Sequence, residues 1–125
     1  MYGPERLQVD LKALGFETET IRIDNNIVYI LISKFQIQSG RFAGRIVDIG
    51  FQATPDYPQS VSSAMHVRSQ PHLFDCENIA GVRNIIQSAL GEAWRYWSLA
   101  FSSNWDSSIG TRRLVSLVNE VFNRA

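Results

Sequence analysis

The single cysteine of the chain, Cys76, is the residue with the most readily named chemistry. A thiolate is a nucleophile that can form a thioester, provided that the thiol is partly exposed and easily ionised. Its sequence neighbours act in opposite directions. Asp75 and Glu77 disfavour the thiolate by like-charge repulsion, whereas a protonated His72 favours it. The alternative is that Cys76 is a partly buried small apolar residue, as most lone cysteines are.

Two histidines, His66 and His72, add two possible metal ligands to Cys76 within one segment. Structural zinc is usually held by four ligands that include closely spaced cysteine pairs, and a single cysteine cannot form one. We therefore predict no metal site, and we interpret His66, beside the apolar Met65, as a half-buried structural histidine in a strand.

The sequence has no Gly-x-Ser-x-Gly elbow for serine catalysis, and residues 40–44 are too short for a phosphate loop. No cofactor is predicted.

Aromatic side chains are densest where Trp94 and Trp97 stand three residues apart, with Trp105 not far beyond. At this spacing the first two are predicted to share one face of a helix. Packing of that helix on a sheet is the interpretation we favour. The alternative is a partner-binding surface, because tryptophan and tyrosine dominate such surfaces, with Arg95 as its polar anchor.

Composition excludes several classes of protein. The chain has 125 residues, 45% hydrophobic and 19% charged, which suits one domain with a proper core. Lys+Arg and Asp+Glu are 12 each, so the basic excess of a nucleic-acid binder is absent. The longest apolar run, residues 27–32, is far too short to cross a bilayer, and the first residues do not resemble a signal peptide. We expect a cytoplasmic protein without a membrane partner.

The first half of the chain predicts one helix followed by strands. Leucines recur at helical spacing over residues 5–14, and Gly15 suits the helix end. A turn is predicted at residues 24–26. Four strands are predicted from alternating or β-branched patterns, at residues 17–24, 27–37, 45–51 and 62–68.

The second half changes to a helical period. Apolar residues between Val82 and Leu90 fit one helical face, and the last segment has the clearest amphipathic pattern, at Leu114, Leu117, Val118, Val121 and Phe122. Consecutive strands with short connections favour an antiparallel meander. The sequence therefore predicts an α+β fold in which an N-terminal helix, a four-stranded antiparallel meander and C-terminal helices form a single domain over residues 1–125.

Three segments together resemble the ubiquitin-conjugating-enzyme family. The strand at 45–51, followed by Pro-Asp-Tyr-Pro at 55–58, resembles the family's third strand and its Tyr-Pro turn. Residues 66–74 resemble the fourth strand and the loop that precedes the active site. The stretch Gly-Glu-Ala-Trp-Arg-Tyr-Trp-Ser at 91–98, with Trp105 and the final helix, resembles a prokaryotic branch of this family. The resemblance covers the chain from about residue 15 onward.

The chain also departs from the family's pattern at the active site. The family has a His-Pro-Asn motif and then a cysteine, whereas here only Asn78 matches the motif, as a candidate oxyanion-supporting amide, and no cysteine lies between it and Trp105. In the prokaryotic branch, functional residues often follow the tryptophan-serine pair, but here Leu99 and Ala100 stand there. Ala100 therefore marks the position of a lost or mutated nucleophile, by natural degeneration or by engineering.

The resemblance implies thioester transfer, in which a cysteine takes the carboxyl terminus of a small modifier from an activating enzyme and passes it to a target. The expected partners are an activating enzyme and a ubiquitin-like modifier or target protein, in a prokaryotic conjugation or antiviral defence system. The family's first helix contacts the activating enzyme, which makes Arg6 a candidate partner contact, although its side of the helix can equally be an ordinary solvated face. The alternative function is a non-catalytic interaction domain that holds a modifier or partner.

Overall fold

The computed structural model describes residues 1–23, 27–79 and 82–125, so the turn predicted at 24–26 lies outside the described residues. The first element is the helix α1, Pro4–Ala13. Its proline occupies the first turn, where no backbone N–H is needed, and Leu7 and Leu11 form its buried face. The helix predicted at 5–14 is therefore confirmed to within one residue.

Seven strands form one sheet, where four were predicted. They are β1 (Glu17–Ile23), β2 (Ile27–Gln36), β3 (Ile46–Gln52), β4 (Ala64–Arg68), β5 (Glu77–Ile79), β6 (Val82–Ser88) and β7 (Gly91–Ser98). Their order is β1-β2-β3-β4-β7-β6-β5, and every neighbouring pair is antiparallel. The predicted four-stranded meander is confirmed, because β1 to β4 follow one another as neighbours in this sheet.

The helical interpretation of the segment around residues 82–98 is wrong. In β6, Ile85 is fully buried while Ile86 is 45% exposed, which is the two-residue alternation of a strand. Residues three apart on a strand point to opposite faces, and Trp97 and Trp94 accordingly lie in different hydrophobic clusters. Pairing with β4 and β6 on its two sides holds β7 extended, so tertiary contacts override the apparent helical period.

One face of the sheet is covered by the two helices. Leu7 and Leu11 of α1 pack with Leu114, Val118 and other apolar residues of α2, Thr111–Arg124, in a core that includes Trp97 of the sheet. The amphipathic pattern of the last segment is thus confirmed, and a short 3-10 helix, Phe101–Asn104, precedes it. Within the described residues, neither α-helix has the length and apolarity needed to cross a membrane.

A connecting segment between β4 and β5, residues 69–76, crosses the helix side of the sheet and is called the strap below. Its anchor is the buried Phe74, whose ring centroid lies 5.6 Å from that of Trp97 and 5.2 Å from that of Phe42. Upstream of this anchor, Arg45 donates from Nη2 to the carbonyl oxygen of Pro71 at 2.9 Å. The strap is therefore fixed at its middle, and it ends at Cys76.

Candidate functional site

Cys76 is exposed at the end of the strap, immediately before β5. Its backbone N–H donates to Oδ1 of Asp75 at 2.9 Å. This local hydrogen bond fixes the backbone on which the thiol is carried, while the thiol itself is exposed. Exposure meets the first requirement for a reactive cysteine.

Arg95 of β7 holds Asp75. Its Nη2 donates to Oδ1 of Asp75 at 3.1 Å, and its Nη1 donates to the carbonyl oxygens of Trp94 and Glu92 at 3.1 and 3.3 Å. The hydrogen bond from the Cys76 N–H, followed by the hydrogen bond and charge of Arg95, lowers the pKa of the Asp75 carboxyl. The repulsion of a thiolate by Asp75 that the sequence suggested is thus opposed by the guanidinium next to it.

The burial of the two partners in this ion pair is very unequal. The Arg95 side chain is 15% exposed and is held by backbone carbonyls, whereas the Asp75 side chain is 86% exposed. The arginine is therefore a fixed cation of the sheet, and the aspartate approaches it from the solvent.

His72 makes the second tie between the strap and β7. Its Nε2 lies 3.0 Å from the carbonyl oxygen of Glu92, and because a carbonyl can only accept, Nε2 carries the proton. In the neutral ring Nδ1 is then left with its lone pair. His72 also contributes to the lowered pKa of Asp75, and the predicted site residues His72 and Cys76 both lie on the strap.

A groove of about 450 Å³ lies where the strap meets the β6–β7 hairpin. It is lined by His72, Gln87, Ser88, Gly91, Glu92 and Arg95. The two residues that tie the strap to β7 are thus also walls of this groove. The sequence suggested neither the groove nor the roles of Gln87 and Ser88, because the hairpin that carries them was interpreted as helix.

The other two predicted catalytic positions do not line this groove. Asn78 is exposed in β5, two residues beyond Cys76, which is about 7 Å in an extended chain. Ala100 is exposed where the 3-10 helix begins, and it lines a separate cavity of about 70 Å³ beside α2. Ala100 follows the end of β7 and Cys76 precedes β5, and β6 lies between these two strands. The structure does not bring them into one site.

His66 is more deeply buried than the half-buried histidine that the sequence suggested, at 4% exposure. Its ring lies between those of Tyr29 and Tyr96, with centroids 5.0 and 5.2 Å away. The Leu90 N–H donates to Ser88 Oγ at 3.0 Å, so the hydroxyl proton is free to donate to His66 Nδ1, 2.7 Å away. Burial lowers the pKa of His66 to about 4, which keeps the ring neutral.

The predicted partner contacts differ in accessibility. Trp94 and Trp97 are buried, as the favoured core-packing interpretation expects, and Arg68 stacks on Trp94 with its Cζ 4.7 Å from the ring centroid. Arg6 is partly buried and donates from Nε to both carboxylate oxygens of Asp10. A partner-binding role for the two tryptophans, Arg6 and Arg95 stays a prediction.

A second arginine–aspartate pair lies nearby on the opposite face of the sheet. Arg68 of β4 donates to Asp48 of β3 through Nε at 2.8 Å, and its Nη2 lies 2.8 Å from the same oxygen. Asp48 also accepts from the Lys34 N–H at 2.9 Å.

The described residues contain no group of three or more histidine, cysteine or acidic side chains that could hold a metal ion.

Comparison with known proteins gives one finding. No curated protein matches the chain, and no solved structure matches it either. The family model described as Prokaryotic E2 family E, however, matches residues 4–124. This match confirms the prokaryotic ubiquitin-conjugating-enzyme resemblance, and an E2 family implies interaction with partner proteins in general. The chain belongs to Prokaryotic E2 family E.

Proposed function

We propose that the protein serves a prokaryotic ubiquitin-like conjugation or antiviral defence system in the cytoplasm, where it takes a modifier or partner protein from an activating enzyme to a target. The observation that carries this proposal is the exposed Cys76 on a strap that His72 and Asp75 tie to β7. Because the chain has a single cysteine, any thioester must form at that position. Membership of an E2 family supports the same chemistry.

The proposed step is acyl transfer between two thiols. The Cys76 sulfur attacks the carbonyl carbon of the thioester that joins the modifier to the activating enzyme. A new carbon–sulfur bond forms, the old one breaks, and the proton lost by Cys76 is taken up by the departing thiolate. His72 is the candidate relay for this proton through Nδ1, since Nε2 is engaged with Glu92, and the amide of Asn78 is the candidate donor to the oxyanion.

Transfer to the target repeats this chemistry with a different nucleophile. An amine of the target attacks the thioester carbon, a carbon–nitrogen bond forms, and the carbon–sulfur bond to Cys76 breaks. The amine proton leaves with the thiolate, which regenerates the free thiol. No redox step or cofactor is needed for this balance.

The second candidate function is a non-catalytic interaction domain. It is favoured by Ala100, which stands where the prokaryotic branch often has a functional residue and has no reactive side chain. The position is exposed beside a small cavity, so a nucleophile there would be accessible. In this alternative the protein binds the modifier or partner but forms no covalent bond with it.

A thioester assay tests the proposal. The protein is incubated with its activating enzyme, the modifier and ATP, and a reducible adduct is sought on a non-reducing gel. We expect an adduct with the unaltered protein that C76A abolishes, while C76S gives a more slowly formed adduct that resists thiol reductants. The control E19Q changes an exposed residue of β1, away from the strap, and should leave the adduct in place.

The two candidate functions give different results in this assay. If no adduct forms while the modifier still binds, the proposal of catalysis at Cys76 is wrong and the interaction-domain alternative is supported. The variant A100C then asks whether the other position was the original site of the nucleophile. A reducible adduct on A100C alone would assign the lost nucleophile to residue 100.

A further inference from the structure

A cavity of about 280 Å³ lies between α2 and the end of β2, and it is called the Phe16 cavity below. Its floor is apolar, because the rings of Phe16 and Phe35 stack with centroids 5.9 Å apart and Val115 of α2 adjoins them. The Phe16 N–H donates to the carbonyl oxygen of Leu11 at 3.1 Å, so the end of α1 fixes this ring's backbone. Among the described residues, none lines both this cavity and the groove beside the strap.

One wall of the cavity carries a hydrogen-bond acceptor that is not used. Val115 and Asn119 stand one helical turn apart on α2, so both lie on the side of the helix that borders the cavity. Oδ1 of Asn119 is buried and has no hydrogen-bond partner among the described residues. Such an oxygen has lost its water and gained no donor, which costs free energy. A turn about χ2 brings Oδ1 toward the cavity, and that oxygen breaks no hydrogen bond when it turns.

The cavity has a single charged lining residue, Lys34. Lys34 is exposed, and its ammonium forms no ion pair within the part of the chain that the structure describes. Its backbone N–H donates to Oδ1 of Asp48 at 2.9 Å, so the side chain starts from a fixed point beside the cavity. The other polar lining residues besides Asn119 are the neutral Gln36 and Gln38. The cavity therefore favours an anionic ligand over a cationic one.

These features together select one class of ligand. A floor of two phenyl rings suits a planar aromatic ring, which stacks on it. The acceptor of Asn119 suits a ring that carries an N–H, and the ammonium of Lys34 suits an acid group. Pockets for drug-sized ligands usually hold about 300–1,000 Å³, so this smaller volume suits a single ring system with a short substituent.

We propose that the Phe16 cavity binds a small aromatic heterocyclic acid, whose ring N–H donates to Oδ1 of Asn119 and whose acid group pairs with Lys34. The ring of the ligand lies on Phe16 and Phe35, and the Asn119 amide turns to meet it. The acceptor that is buried without a donor in the free protein thereby gains one. This site goes beyond the proposed function, because it uses neither Cys76 nor any other residue of the strap.

Titration of the protein alone with indole-3-acetate tests the site, and its failure is distinct from failure of the thioester assay. The readout is the side-chain NH₂ signals of Asn119 in a proton–nitrogen NMR spectrum, which should shift saturably. The N-methylated analogue of this probe keeps the charge but lacks the ring N–H, and it should bind about tenfold more weakly, as loss of one hydrogen bond predicts. Tryptamine keeps the ring but is a cation, and it should also bind more weakly. No saturable shift, or equal affinity for all three compounds, would overturn the proposal.

A variant of Asn119 provides the sharper test. N119L removes the acceptor and keeps a side chain of similar size, so it should weaken binding of indole-3-acetate about tenfold. Its melting temperature should not fall, because the substitution removes a buried oxygen that has no hydrogen-bond partner among the described residues. The control N123L makes the same change at an exposed residue of α2 outside the cavity and should leave affinity unchanged. If N119L binds the probe as tightly as the unaltered protein does, Asn119 has no part in recognition and the proposal is wrong.

The role of charge is tested at Lys34. K34Q should weaken binding of indole-3-acetate about two- to fivefold, the range that an exposed ion pair supports, and should leave binding of the neutral indole-3-acetamide unchanged. K12Q removes the other lysine of the chain, exposed on α1, and should affect neither compound. An equal loss for both compounds in K34Q would refute the ion pair.

A last titration distinguishes a small molecule from a partner protein. The peptide acetyl-Gly-Trp-Asp-Gly-amide offers the same ring N–H and a carboxylate within a chain. We expect it to bind no more tightly than indole-3-acetate, because the cavity suits one ring with a short substituent. If the peptide binds at least tenfold more tightly, the ring belongs to a partner protein and the proposal of a small-molecule site is wrong.

Discussion

Two arginine–aspartate pairs lie close together on one sheet, and they are built differently. Asp48 and Arg68 face each other in adjacent strands, where the register β3–β4 fixes both ends. Arg95 lies in a strand as well, but its partner Asp75 is carried by the strap and is 86% exposed, against 24% for Asp48. The first pair is a fixed part of the fold, whereas the second joins a fixed cation to a solvent-exposed anion.

The surroundings of the two pairs extend this difference. Arg68 also stacks on Trp94, and Asp48 also accepts from the Lys34 backbone, so removal of either partner breaks several contacts at once. Among the described residues, the Asp75 side chain is hydrogen-bonded to Arg95 and to the backbone N–H of Cys76. Stability and candidate function are thus assigned to different pairs, and each assignment can be tested.

The largest effect is expected from acid, through His66, which lies two residues before Arg68 on the same face of the sheet. Its pKa falls from 6.5 in the unfolded chain to about 4 because the ring is buried. The unfolded state therefore binds more protons between these values, and stability present above pH 6.5 is lost as the pH falls to 4. We expect a loss of roughly 2.5 kcal/mol from this group between pH 7 and pH 4.5, measured by urea unfolding at the two pH values.

A matched pair of variants isolates this contribution. H66Q should be less stable than the unaltered protein at pH 7, where it loses packing between two tyrosines, yet it should lose much less stability on acidification. H72Q changes the histidine on the strap and should leave the acid sensitivity as it is. If H66Q loses as much free energy of unfolding between pH 7 and pH 4.5 as the unaltered protein does, the acid-sensitive group is a residue other than His66.

The next effect separates the two pairs directly. D48A removes the acceptor of Arg68 and of the Lys34 N–H in a partly buried setting, and it should cost about 2 kcal/mol in the free energy of unfolding at pH 7. D75A removes an exposed carboxylate and should cost less than about 0.5 kcal/mol. Equal losses, measured by urea unfolding, would contradict the assignment of stability to one pair only.

Local sequence patterns predicted part of this structure correctly. The spacing of apolar residues from Leu114 to Phe122 depends only on the helix period, and α2 was predicted correctly for that reason. The four-strand meander likewise follows from alternation along consecutive segments. The sequence beyond Val82 fits a helical face and a strand equally well over a short run, and only the pairing of β6 with β7, and of β7 with β4 earlier in the chain, decides between them.

The candidate site was partly predictable for the same reason. His72, Asp75 and Cys76 are near neighbours in sequence, so their grouping could be expected from the chain alone. Arg95 lies 20 residues from Asp75 and reaches it only because β7 runs beside the strap, an arrangement that no local pattern encodes. Its partner-binding prediction rested on neighbouring tryptophans, which the structure shows buried away from the groove.

The last effect concerns a β-bulge in β2, between Ile32 and Phe35. This bulge is joined to the Arg68–Asp48 pair because the Lys34 N–H donates to Asp48. In β2, Ser33 and Lys34 stand opposite the single residue Asp48, and Lys34 takes a φ of 59°, where a side chain is disfavoured. K34G should therefore raise the free energy of unfolding by about 0.5–1 kcal/mol, because glycine adopts this conformation without strain. Urea unfolding at pH 7 measures the change.

The same substitution at the other lysine supplies the control. Lys12 lies in the last turn of α1 with helical backbone, so K12G should lower stability by about 1 kcal/mol. If K34G also lowers the free energy of unfolding, the positive φ of Lys34 does not destabilise the fold. Asp48 holds this conformation through the Lys34 N–H, so the gain from K34G should change when it is combined with D48A. No such coupling is expected between K34G and D75A, since the Arg95 pair does not touch the bulge.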